Sequence, residues 1–196
     1  MLETLFTKIE TMSSIQLRAQ DKDYIQSKFK SRNMAKRQCL LHEGDICKYI
    51  GFIVSGSCKM YAIDDKGRQH ILRLGVDGYW LGDYESFYLS TPSRYHIEMM
   101  EDVNLMLIDK KDLQELVVHV PAIDSMIKNM NIQCIIATQN RIHASISLTA
   151  EGKYNELLTT HPIFFERFPQ TMIASYLGIA PETLTRVRRS LLSKRN

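Results

Sequence analysis

Residues 170–189 constrain the fold more than any other stretch. They read as two short helices divided by a single glycine, Gly178. Glycine takes the left-handed backbone conformation without steric cost, so Gly178 can turn the chain sharply between them. Ala174, four residues earlier, has almost no side chain and lets the second helix cross close to the first. Ile173, Leu177, Leu184 and Val187 fall where they can pack between the two helices. Pro181 suits the first turn of the second helix, where its missing N–H is not needed. The outward face of that helix then shows Glu182, Thr183, Arg186 and Arg189. This is the layout of a helix-turn-helix, and any account of the chain has to explain why the outer face is polar and basic.

With 196 residues, 44% hydrophobic and 24% charged, the chain suits one large or two small globular domains. A net charge of +3 is too small by itself to argue for nucleic acid. Its distribution says more, because Arg186, Arg188, Arg189, Lys194 and Arg195 follow Glu182 with no acid among them. Attached to a helix pair, such a run favours phosphate contact. No apolar stretch is long enough to span a bilayer, and residues 1–6 lack the basic start and apolar core of a signal peptide. A cytoplasmic location with no membrane partner is the expectation. Cys39, Cys47, Cys58 and Cys134 form no CxxC pair and match no common metal spacing, so they are expected to be buried thiols.

Taken in order, residues 1 to about 35 read as helical, with Leu5, Phe6 and Ile9 on one face. Short apolar runs follow, punctuated by Gly44, Gly56, Gly67 and Gly78 in the rhythm of an all-β sandwich or barrel. The clearest strands are 49–54, 57–63, 69–74 and 103–108, with 95–99 a further one. Asp64-Asp65-Lys66-Gly67 is a hairpin turn. Asp109 offers an N-cap for a helix over 110–119, and Pro121 opens the next. Residues 121–146 contain no further Gly or Pro and would make a helix about 39 Å long. Its stripe of Ile123, Met126, Ile127, Met130, Cys134, Ala137 and Arg141 needs burial, either on the β domain or on the same helix of a second subunit. The Met and small residues favour the second. Thr149 caps a helix over 150–159, His161-Pro162 stops it, and the phenylalanines of 163–168 supply a small C-terminal core.

The order helix, glycine-punctuated β-roll, long helix and helix-turn-helix resembles the Crp/Fnr family of bacterial transcription regulators along nearly the whole chain. Residues 41–45, 49–56 and 77–83 are similar to a cyclic-nucleotide-binding β-roll. Residues 173–179 with Pro181-Glu182-Thr183-Leu184-Thr185-Arg186-Val187 are similar to the family's recognition helix. The resemblance implies an α+β chain in three parts. Residues 1–120 would form an antiparallel, jelly-roll-like β-roll with flanking helices. Residues 121–147 would form a dimerisation helix, and 148–196 a helix-turn-helix domain. The sequence ends seven residues past Arg189, so that domain would lack a full wing.

By the same resemblance, Glu182 and Arg186 read base edges. Arg186 would donate to guanine O6 and N7 and Glu182 would accept from cytosine N4, each worth about 1–3 kcal/mol of discrimination. Thr171, Ser175, Thr183 and Thr185 are candidates for phosphate or base-edge hydrogen bonds, and Arg189 for backbone contact. Many members carry Arg where this chain has Pro181, which implies a different operator. The implied partners are double-stranded DNA, a second copy of the chain, RNA polymerase and an unidentified small-molecule effector, with no cofactor.

The family's phosphate cassette maps onto Gly82, Asp83, Glu85 and Ser86, followed by Arg94 and Tyr95. Asp83 is a shortened version of the ribose-binding Glu, Glu85 puts a negative charge where phosphate should approach, and Tyr95 replaces a small residue. Cyclic AMP is therefore not the expected effector. Arg94 either holds an anion or pairs with Glu85 or Asp83. Cysteine spacing excludes the family's iron–sulfur centre. The haem-sensing variant would need His42, His70, His96 or a Met as ligand, although a lone histidine is more often structural. A cupin-type enzyme would need a His-x-His pair, which is absent, and no catalytic motif occurs. The alternative is a ligand-sensing or scaffold protein whose helix-turn-helix does not bind DNA.

Overall fold

The computed structural model describes residues 1–193, so the basic positions Lys194 and Arg195 lie outside the described residues. Two antiparallel four-stranded sheets form the β-roll. One has the order β1 (Lys30–Met34), β8 (Val103–Asp109), β3 (Tyr49–Ser55), β6 (Trp80–Leu81). The other has the order β2 (Cys39–Leu41), β7 (His96–Met99), β4 (Cys58–Ile63), β5 (Gln69–Gly75). Phe52, Ile53, Ile97, Met99 and Leu105 are fully buried in its core. The expected α+β architecture is the one observed.

Helices α1 (Leu2–Ser13) and α2 (Ala19–Lys28) precede the roll, and α1 buries Leu5, Phe6 and Ile9 as their spacing predicts. The helical reading of residues 1–35 runs too far, because residues 30–34 are β1. This strand is polar and exposed along most of its length. What makes it a strand is its antiparallel pairing with β8, from Lys30 opposite Leu107 to Met34 opposite Val103. A second helix, α3 (Tyr84–Leu89), occupies the stretch read as an open cassette. The Asp109 carboxylate accepts from the Asp112 N–H at 2.9 Å and so caps α4 (Lys110–His119), as expected.

Helix α5 (Pro121–Ser147) has 27 residues and is about 40 Å long. Its start is buried through Ala122, Ile123 and Met126 and is tied to α1, where Ser125 donates to the Ser13 carbonyl (3.2 Å) and Asn129 to that of Met12 (2.8 Å). Beyond Met126 the expected stripe does not face outward. Met130, Cys134, Ala137 and Arg141 line a cleft within the chain. At about 100° per residue, Ile132, Ile135, Ile142 and Ile146 fall on the opposite side of the helix, and they are solvent-exposed. The helix is apolar on two faces, so its sequence pattern did not show which one looks inward.

Helices α6 (Ala150–Thr160), α7 (Ile163–Arg167), α8 (Gln170–Leu177) and α9 (Pro181–Ser193) complete the described chain. Thr149 caps α6 as predicted, accepting from the Gly152 N–H at 3.1 Å. The C-terminal core is not self-contained. Phe164, Phe168, Ile173 and Leu184 share one buried cluster with Tyr61, Ile71, Leu74 and Val76 of the β-roll. Arg167 reinforces the contact by pairing with Glu101 and with Asp77 (3.6 Å).

Candidate nucleic-acid interface and effector site

The helix-turn-helix forms for the local reasons legible in its sequence. Gly178 has φ +65°, and the two N–H groups that follow α8 return to its last turn. Gly178 donates to the Ser175 carbonyl (3.1 Å) and Ile179 to that of Ala174 (3.0 Å), which satisfies carbonyls that would otherwise end the helix unpaired. Ala174, Ile173 and Leu184 are almost wholly buried between α8 and α9.

Glu182, Thr185, Arg186 and Arg189 recur at spacings of three and four and stand exposed along α9. None of the three charged groups forms an ion pair with a described residue. Thr171 is exposed at the start of α8. Thr183 is half-buried, and the Thr185 hydroxyl donates to the Pro181 carbonyl at 3.0 Å. Ser175 departs from its expected place among the DNA-facing residues. Its hydroxyl accepts from the Ile71 N–H (3.1 Å) and donates to the Gln69 carbonyl (3.3 Å), which fastens α8 to the edge strand β5.

The six cassette residues do not converge on a ligand site. Gly82 is required where it stands, since its φ is +153° and an added Cβ would lie 2.5 Å from Ile50 Cδ1. Asp83 is buried and caps α3, accepting from the Ser86 N–H at 3.4 Å and from the Ser93 hydroxyl at 2.7 Å. The Ser86 hydroxyl donates to the Thr91 carbonyl (2.6 Å) and accepts from the Cys47 N–H (2.8 Å). The Ser93 hydroxyl also accepts from the Tyr95 N–H at 3.0 Å. Arg94 pairs with Glu85 at 2.9 Å, with both side chains largely in solvent. Of the two roles read for Arg94, the pairing with Glu85 is the one the structure contains. The loop's polar groups bind one another.

A cleft of about 580 Å³ lies beside this loop, bounded by the β-roll, α5 and the C-terminal helices. Gly82 lines it, but the other five cassette residues do not. Arg73 crosses one wall, donating to the Cys134 thiol at 2.9 Å and lying 5.3 Å from the centre of the Tyr84 ring. Burial raises the Tyr84 phenol above its ordinary range, so it is neutral there. Arg141 lies 4.5 Å from the centre of the Tyr176 ring and donates to the Leu72 carbonyl. The sequence reading passed over both arginines as site residues. The available signal was a charged residue closing an apolar helical stripe, Arg141, and another inside an apolar strand, Arg73.

The remaining polar candidates have structural partners. His70 pairs with Asp64 (2.9 Å), and His96 stacks on Tyr61 (5.0 Å) with His42 at its edge (5.8 Å). Burial raises the thiols of Cys39 and Cys47 and pushes that of Cys58 up to about 12. Among the described residues, no group of three or more His, Cys, Asp or Glu side chains could hold a metal ion. No described helix is long and apolar enough to cross a membrane.

Residues 31–119 match the cyclic nucleotide-binding domain family. No curated protein matches the chain. Among solved structures, FixK2 from Bradyrhizobium japonicum is similar at 15% identity and a TM-score of 0.71, over 85% of each chain. CLP from Xanthomonas campestris, a c-di-GMP-responsive global regulator, is similar at 18% identity and 0.68, over 90% of this chain and 93% of that one. A protein from Eubacterium rectale assigned to the Crp/Fnr family is similar at 16% identity and 0.64, over 91% and 85%. The chain thus joins a cyclic-nucleotide-binding-type β-roll to a helix-turn-helix through one long helix, and its fold is that of the Crp/Fnr transcription regulators.

Proposed function

We propose that the chain is a dimeric, sequence-specific DNA-binding transcription regulator. The observation that carries this reading is the α9 face, where Glu182, Arg186 and Arg189 stand exposed without an ion-pair partner. A helix that served only for packing would gain nothing from two unpaired arginines on its outer face. Arg186 and Glu182 read base edges, while Arg189 and Thr171 contact phosphate. Two subunits pair through the exposed isoleucines of α5, and their α9 helices enter successive major grooves about one helical turn apart. RNA polymerase is the partner through which such a regulator acts. The contact of Ser175 with β5 favours a second reading, in which the helix-turn-helix is a packing element, but it leaves the α9 face unexplained.

The experiment is Arg186→Ala. Specific binding to an operator found by genome-wide mapping should weaken about tenfold or more at fixed salt, with the dimer intact. Unchanged operator affinity would sink base reading by this residue. The effector does not use the 82–95 loop in this reading, since Asp83, Ser86 and Arg94 already have partners. Millimolar cyclic AMP should therefore leave the thermal unfolding midpoint unchanged, and a clear stabilisation would contradict the closed loop.

A further inference from the structure

The cleft between the β-roll and the C-terminal helices carries charge that the protein does not neutralise. Lys8 of α1, Arg73 of β5, Arg141 of α5 and Lys153 of α6 line it, with Glu156 as the one carboxylate among the described lining residues. His161, also in the lining, is pushed down by burial and stays uncharged near neutral pH. None of the four cations forms an ion pair with a described residue. Arg73 and Arg141 are held instead by a thiol, a carbonyl and two aromatic faces, which fix their position and leave their charge in place. Like charges around one cleft repel, and apolar walls strengthen that repulsion. The walls here are apolar, with Met60, Trp80, Leu81, Ile97 and Met130 among them.

We propose that this cleft binds an organic anion with an apolar body, an acyl or aryl carboxylate. Its carboxylate lies between Arg73 and Arg141 and its body lies against Met60, Trp80 and Met130. The cleft volume of about 580 Å³ suits such a molecule, since small-molecule sites span roughly 300–1,000 Å³. Arginine is the side chain suited to two parallel bonds with a carboxylate. The exposed isoleucines lie on the opposite side of α5, so the ligand and a second subunit do not compete for the same surface. The inference rests on the regulator reading where it makes this anion the effector, but binding itself is measured without DNA.

Trp80, the single tryptophan of the chain, lines the cleft and reports occupancy through its emission. Octanoate should change that emission saturably. Calorimetry should give octanoate and 2-naphthoate about tenfold or more higher affinity than 1-octanol and 2-naphthol. Arg73→Gln and Arg141→Gln should each weaken carboxylate binding about fivefold or more while leaving the alcohols unaffected. Lys153→Gln, on the rim, should show the same selectivity and provides the reading if an arginine variant fails to fold. Equal affinity for acids and alcohols would overturn the proposal. So would variants that bind octanoate like the wild type, no response to either carboxylate, or an equal response to inorganic phosphate. Failure of the wild-type chain to bind DNA would sink the regulator reading and leave the ligand result standing.

Discussion

The outer face of α9 and the 82–95 loop hold similar side chains in opposite circumstances. Both carry Glu, Arg and hydroxyl groups. On α9 the charged groups face solvent without ion-pair partners, and in the loop they are bonded to one another. Desolvating an exposed, unpaired charge against a partner brings new hydrogen bonds at the cost of water alone. Opening the loop would first break bonds already formed, several of them buried. The same residue types therefore make an interface in one place and a brace in the other.

The largest expected effect tests whether the α9 face works as a pair. Replacing Ile135 and Ile142 by Asp removes two apolar contacts per subunit from the proposed α5 seam. At about 1.5–3 kcal/mol for each buried isoleucine, the dimer should lose on the order of 6 kcal/mol or more. Sedimentation should show monomers, and operator affinity should fall by more than the single Arg186→Ala change causes. A variant that remains dimeric would move the seam elsewhere on α5.

How much of this was legible depended on how local each feature is. The turn at Gly178, the close crossing at Ala174 and the caps at Asp109 and Thr149 each depend on residues a few positions apart, and all stand where the sequence put them. Strand β1 was missed because nothing in Lys30-Ser31-Arg32-Asn33-Met34 marks a strand until β8 lies beside it. The faces of α5 were misassigned because its apolar residues nearly surround the helix, and only the fold shows which side meets the roll. Ser175 looked like a DNA contact because its partners, Gln69 and Ile71, lie far away in sequence. Asp83 did carry a readable signal, an acidic residue opening a short helix, but the resemblance to a ribose ligand drew attention away from it.

Asp83→Ala gives the next effect and tests the brace directly. It removes the cap of α3 and leaves the buried Ser93 hydroxyl without its acceptor. Stability should fall by about 2–3 kcal/mol in chemical denaturation. Operator affinity of the folded protein should not change. A loss under a few tenths of a kcal/mol would mean that the loop is not braced and the cassette is free to accept a ligand.

Arg189→Ala should do less and should show a different signature. A phosphate contact carries no sequence information, so affinity should drop by a similar factor for operator and for unrelated DNA. The slope of log affinity against log salt should become shallower by about one per arginine. A change confined to the operator would make Arg189 a base reader and extend the reading face beyond Glu182 and Arg186.

Arg94→Ala should do least, and its small effect decides between the two circumstances. The Arg94–Glu85 pair is exposed on both sides, and exposed pairs contribute about 0–1 kcal/mol. If Arg94 only braces the loop, the variant should unfold within that margin of the wild type and bind octanoate unchanged, since Arg94 does not line the cleft. If the variant lost ligand binding, the guanidinium would have to leave Glu85 and swing toward an anion. The loop would then be a second open face like α9, and the contrast between the two regions would fail at the residue where it is most sharply drawn.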